Sequence, residues 1–137
     1  SAIAETGLHI YKFGQTVTIP FPEKTGGKLP QSVYDVINEN QSRGLHTLCL
    51  LDVVAEENRY LGVRQAFETL LALEEANKRH ITTDSSKAVI FSITKNSNIT
   101  YGTIGKLTRE IFQLPAVVVI PGKLHFSEEE HLKLYEI

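Results

Sequence analysis

The chain has 137 residues, of which 42% are hydrophobic and 22% charged, and its formal net charge is -2. This is the composition of one ordinary globular domain, long enough to bury a core of its own. No basic stripe and no apolar run of membrane-spanning length is present, so we expect neither a nucleic acid nor a membrane as partner. Cys49 is the single cysteine. It cannot form an internal disulfide, which fits a reducing, cytoplasmic location.

The start of the sequence, "SAIAETG", is typical of the last turns of a helix that ends at Gly7, because glycine favours the left-handed conformation that follows a helix. The chain also contains no methionine. We therefore expect it to be a piece of a longer protein. Removal of an initiator methionine before Ser1 is the alternative.

Four segments have the patterns of β-strands. In "TVTIPF", Val17, Ile19 and Phe21 alternate with other residues, and Pro20 and Pro22 predict a sheet edge because proline cannot donate to a neighbouring strand. The other three predicted strands are apolar runs: "TLCLLDVV" (47–54), "KAVIFSIT" (87–94) and "AVVVI" (116–120). We expect the first of these runs to be covered on both faces.

The spacing of apolar residues between the strands predicts helices there. One helix follows the 22–30 loop with Ser32 as its N-cap and ends at Gly44. A second spans 63–78 with Glu74 outside its apolar stripe, a third spans 103–112, and a last short helix begins with a capping box of Ser127 and Glu130. Strands that alternate with helices predict an α/β fold in which helices pack over a sheet.

The motifs that carry chemistry are weak. "GTIGKLT" (102–108) lacks both the first glycine and the Ser or Thr after the lysine that a phosphate loop needs, so an ordinary helix start is favoured. A metal site could be drawn from His125, Glu128, Glu129 and His131, but a solvated helix is favoured. Asp52 closes a predicted strand, where open α/β sheets bind ligands. The residues alone favour the other interpretation, that Asp52 caps the following turn.

Four stretches together resemble the diphthine synthase family, in matching order and at matching intervals: "TGLHIYKFG" (6–14), "YDVINEN" (34–40), "GLHTLCLLDVVAEENRY" (44–60) and "PGKLHF" (121–126). The resemblance covers nearly the whole chain. The segment 87–103 departs from it, because "SITKNSN" stands where the family has a turn with arginine and glycine.

The resemblance implies a tetrapyrrole-methylase-like enzyme of two α/β domains, with residues 1–137 as its C-terminal domain and the N-terminal domain absent. Such an enzyme binds S-adenosylmethionine between its domains, without a metal. It methylates the modified histidine of translation elongation factor 2 on the route to diphthamide, and it forms a homodimer. The alternatives are another methylase of this fold, such as a precorrin methylase, and a noncatalytic dimerising interaction domain.

The resemblance also implies which residues contact the cofactor. These are Leu51, Ala116 and one residue at the end of the "KAVIFSIT" strand, Thr94 in the preferred alignment or Ser92 in the other. Asp52 then supports the turn beside Leu51, and no residue is identified as the catalytic base. One ligand can reach all these contacts only if they share a sheet edge. We therefore predict a mixed sheet of about four to five strands in which "AVVVI" runs antiparallel to "TLCLLDVV".

Overall fold

The computed structural model describes residues 2–94 and 98–137 and contains one main sheet of five strands. The strands in chain order are Val17–Ile19 (β1), Thr47–Leu51 (β2), Val53–Val54 (β3), Arg59–Tyr60 (β4), Lys87–Ser92 (β5), Asn98–Thr103 (β6) and Ala116–Ile120 (β7). The main sheet has the order β1-β2-β7-β5-β6, while β3 and β4 form a separate two-stranded ribbon. The strand β1 lies at an edge, as its prolines predict.

Helices cover both faces of this sheet. They are Ala2–Glu5 (α1), Gln31–Ser42 (α2), Val63–Asn77 (α3), Ile104–Leu107 (α4) and Phe126–Leu132 (α5), with single 3-10 turns at Ile10–Lys12, Pro22–Thr25, Ala55–Glu57 and Lys133–Tyr135. One core joins α2 and α3 to the face that carries Cys49 and Val118. A smaller core joins Leu8 and Leu132 to the opposite face, which carries Val119. The predicted α/β fold is confirmed.

The directions of the strands determine which strand ends lie together at one edge of the main sheet. The strand β1 runs parallel to β2, whereas β7 runs antiparallel to both β2 and β5. The predicted mixed sheet, with β7 antiparallel to β2, is therefore confirmed. The carboxyl ends of β2 and β5 and the amino end of β7 consequently meet at one edge.

Two predicted elements differ from the structure. The run 47–54 leaves the main sheet after Leu51 to enter the β3–β4 ribbon, and Leu50 is 39% exposed, so its second face is not fully covered. The segment 103–112 contains the strand β6 up to Thr103 and then only the four-residue helix α4. After α4 the backbone N–H groups of Arg109 and Glu110 bond to carbonyls three residues back, which tightens the turn and ends the helix. Ile111, predicted on the buried face, is 99% exposed.

Three polar predictions were also wrong. Ser32 does not cap α2, since the residue before that helix is Pro30. The capping box of α5 uses His125 and Glu128 in place of Ser127 and Glu130. Glu74 is buried, because its carboxylate accepts hydrogen bonds from backbone N–H groups of the loop after α3: those of His80, Ile81 and Thr82.

Candidate functional site

Three of the residues predicted to contact a cofactor lie side by side at the edge where β2, β5 and β7 meet. Ala116 is paired with Ser92 across β7 and β5. Leu50 is paired with Val117, which places Leu51 next to Ala116 on the other side. Neighbouring strands are about 4.8 Å apart, so the three residues form a row about 10 Å long. We call Leu51, Ala116 and Ser92 the edge row.

The side chains of the edge row face the same side of the sheet as the core under α2 and α3. Ala116 belongs to that core, and Leu51 is partly buried against it. Ser92 lies two residues after the core residue Ile90, and alternate strand residues share a face. Ala116 and Ser92 are only 4% and 3% exposed. The row is therefore a mostly apolar strand terminus, of which Leu51 is the most accessible side chain.

Thr94, the alternative to Ser92, lies beyond the last residue of β5 and is half-buried. The backbone N–H of Ile93 donates to the Pro115 carbonyl at 2.8 Å, so the pairing of β5 with the chain before β7 extends one residue past the strand. Thr94 thus stands just outside the edge row. The segment 92–98, where the sequence differs from the family, includes residues 95–97, which lie outside the described part of the chain.

Asp52 is held by hydrogen bonds at the end of β2. Its carboxylate accepts from the backbone N–H groups of Phe21 and Val53 and from the Lys24 ammonium, each at 2.9 Å. Burial would raise the pKa of Asp52, but the Lys24 and backbone hydrogen bonds outweigh it and hold the pKa below its ordinary value. Asp52 thus fixes the turn after Leu51 to the loop after β1, as the turn-capping alternative predicted.

A groove of about 620 Å³ begins at the Ser92 end of the edge row. Pockets of this size accommodate small-molecule ligands or parts of them. The groove runs between β6 and the segment that joins α4 to β7, and polar side chains and one aromatic ring line it: Ser92, Asn98, Thr100, Glu110, Phe112 and Gln113. This groove could not be predicted from the sequence, because one of its walls is β6, which has no clear strand pattern.

A buried ionic cluster, also missed, lies at the opposite end of β2. Glu128 is fully buried and accepts hydrogen bonds from the backbone N–H groups of His9 and His125, from Lys12 Nζ and from His46 Nε2. Burial would raise the pKa of Glu128, but these hydrogen bonds outweigh it and lower the pKa to about 2. Because His46 Nδ1 accepts from the Gly122 N–H at 3.0 Å, the proton of neutral His46 resides on Nε2. The cluster is remote from the edge row and joins the N-terminal segment to α5.

Other candidate sites are not supported in the parts of the chain that the structure describes. Residues 2–94 and 98–137 contain no group of three or more His, Cys, Asp or Glu side chains placed to hold a metal ion. Gly102–Thr108 forms a strand end and a short helix. No helix within the same residues has both the length and the apolar character needed to cross a membrane.

The chain is similar in sequence to known proteins that share one name. A diphthine synthase from Methanocaldococcus jannaschii is 43% identical over 138 residues, and the match covers 97% of this chain and 53% of that protein. One from Methanococcus maripaludis is 40% identical over 136 residues, covering 97% of this chain and 52% of that protein. No family model matches the chain.

Solved structures give the same result. A crystal structure of an Entamoeba histolytica protein proposed to be a diphthine synthase superposes with a TM-score of 0.89 at 27% identity, over 99% of this chain and 56% of that one. A second diphthine synthase structure superposes with a TM-score of 0.79 at 26% identity, over 98% of this chain and 49% of the other. The chain thus spans about half the length of the relatives it matches. Over nearly its whole length it is similar to these diphthine synthases in sequence and in fold.

Proposed function

We propose that this chain contributes the C-terminal domain, residues 1–137, of an S-adenosylmethionine-dependent methyltransferase of the diphthine synthase type. The edge row carries the proposal, because contacts assigned from sequence on three separate strands lie within one ligand length of each other. The names of the relatives favour this function over a precorrin methylase or a noncatalytic interaction domain.

The residues of the edge row are chemically suited to such a cofactor. Leu51 and Ala116 would contact its apolar surface, and Ser92 adds a hydroxyl at the start of the groove. The Asp52 carboxylate is occupied by three donors. It therefore orients the turn that presents Leu51. When bound, the cofactor supplies an electrophilic sulfonium methyl group. The protein's part is to orient the reactants and exclude water.

We further propose that the methyl acceptor is the amine of the modified histidine of translation elongation factor 2, and that the working enzyme is a cytoplasmic homodimer without a metal. Methyl transfer from a sulfonium needs orientation of the reactants more than acid–base groups, and the apolar and neutral residues of the edge row are compatible with that role. Size-exclusion chromatography with light scattering would test the dimer.

The sharpest test compares two neighbouring substitutions in a complete enzyme. Such an enzyme can be made by joining this chain to the part of the M. jannaschii protein that the match leaves out. We expect Leu51→Asp to weaken S-adenosylmethionine binding roughly tenfold or more, because it places a charge in an apolar contact. Asp52→Asn keeps the size and one acceptor, and should change the dissociation constant by only a few-fold. Calorimetry measures both.

Transfer of radiolabelled methyl groups to elongation factor 2 tests the activity, with the intact M. jannaschii enzyme as the control. A folded fusion protein that binds no S-adenosylmethionine and transfers no methyl group would contradict the proposed function. Loss of binding in Asp52→Asn with binding retained in Leu51→Asp would reverse the two assigned roles.

A further inference from the structure

The groove beside the edge row contains one carboxylate side chain. Among the described residues that line it, Glu110 carries the sole charged side chain, and its neighbours Asn98, Thr100 and Gln113 are neutral and polar. Phe112 adds an apolar wall. A negative charge set among neutral hydrogen-bonding groups favours a cationic ligand group over an anionic one.

Glu110, which is exposed, differs from three carboxylates that hold the fold together. Asp52, Glu74 and Glu128 each accept several hydrogen bonds that fix a turn or a loop. Within residues 2–94 and 98–137, the Glu110 carboxylate accepts no hydrogen bond and forms no ion pair, and only its backbone N–H is engaged, with Leu107. A ligand that binds this carboxylate would therefore not have to displace a hydrogen-bond partner from the described residues.

We propose that Glu110 binds the ammonium group of an amino-acid moiety in this groove. The inference rests on the proposed function, because the methyl donor carries an α-ammonium group and the proposed acceptor is itself an amine. Both would approach Glu110 from the edge row, since Ser92 belongs to the row and to the groove. Glu110 is then a ligand-positioning residue, and the groove selects ligands with an amino-acid head.

Nuclear magnetic resonance titrations of the ¹⁵N-labelled 137-residue chain can test this at millimolar ligand concentrations. The variants are Glu110→Gln and, as a matched control, Glu39→Gln, an exposed glutamate on α2 that lies outside the groove. The three ligands are S-adenosylmethionine, methylthioadenosine, which lacks the amino-acid part, and L-2-aminobutyrate, which carries an amine and a carboxylate alone.

We expect S-adenosylmethionine to shift the amide signals of the edge row and of Gln113. Glu110→Gln should raise its dissociation constant about two- to fivefold, the effect of one exposed ion pair. Glu39→Gln should leave the dissociation constant of S-adenosylmethionine unchanged. Methylthioadenosine should bind both variants with the same dissociation constant. If Glu110→Gln raises the dissociation constant of L-2-aminobutyrate alone, Glu110 binds the amine of the methyl acceptor. If it raises the dissociation constant of S-adenosylmethionine, Glu110 binds the ammonium group of the methyl donor.

Two results would overturn the inference, and they are distinguishable. If the edge row shifts but Glu110→Gln changes no dissociation constant, the role of Glu110 is wrong and the proposed cofactor site stands. If none of the three ligands shifts the edge row or the groove, and the folded fusion protein also binds no S-adenosylmethionine, the proposed site and the role of Glu110 both fail.

Discussion

The buried Glu128 cluster allows a prediction whose size follows from the structure. In Glu128→Gln, one oxygen of the carboxylate becomes an NH₂ group. That group would face donors, because the carboxylate accepts from the N–H groups of His9 and His125, from Lys12 and from His46. A buried amide cannot satisfy four donors with one oxygen, so at least one buried N–H loses its acceptor.

The expected cost can be worked from the protonation of the carboxyl group. Folding lowers the pKa of Glu128 from its ordinary 4.5 to about 2. At about 1.4 kcal/mol for each pKa unit, the ionised carboxylate stabilises the folded state by about 3 kcal/mol. Removal of one partner from a buried ion pair typically costs a similar 3–5 kcal/mol, roughly. We therefore expect Glu128→Gln to lower the free energy of unfolding by about 3 kcal/mol at pH 7.

Urea unfolding followed by circular dichroism measures this loss. Glu129→Gln is the control, since Glu129 is an exposed residue on the same helix, and its effect should stay within about 0.5 kcal/mol. Because the pKa is lower in the folded chain, the stabilisation is complete above the unfolded pKa of about 4.5 and disappears as the pH falls towards 2. The difference between wild type and Glu128→Gln should therefore narrow below pH 4.5. A difference under about 1 kcal/mol at pH 7, or one that stays constant between pH 5 and pH 3, would refute the reasoning.

Two further predictions concern His46 and the isolated chain. Burial lowers the pKa of His46 below its ordinary 6.5, although the Glu128 carboxylate opposes this, so the imidazole should remain neutral to more acid pH than an exposed histidine and its contribution to stability should decline as the pH falls below 6.5. An NMR titration of the His46 ring proton measures this, and a midpoint at or above 6.5 would contradict it. In calorimetry the 137-residue chain alone should bind S-adenosylmethionine weakly or not at all, because half of an interdomain site leaves much of the ligand in water. Low-micromolar binding by calorimetry would show that the site is complete without further residues.

The apolar pattern was enough to predict most strands of the sheet, whereas the direction of β7 followed from contacts that the family resemblance implied. The buried runs identified β2, β5 and β7, and the requirement that Leu51 and Ala116 share an edge predicted that β7 is antiparallel. The strand β6 was missed because it is the last strand of the sheet order and carries Asn98 and Gly102, which have low β-propensity. Its buried residues, Ile99 and Tyr101, supply too short an alternation to stand out beside the helical spacing that follows.

The roles of the carboxylates could not be predicted from pattern alone, and the reason bears on the proposed site. A sequence pattern places every glutamate on a solvated face, whereas burial depends on which backbone N–H groups the fold brings near. His46 lies 82 residues from Glu128 in the sequence. The N–H group of Thr82 that binds Glu74 belongs to the loop that follows α3. Carboxylates that collect such donors become structural. Glu110 collects none in the described chain and stands in a groove that opens from Ser92, which is why we propose a ligand-binding role for it in place of a structural one.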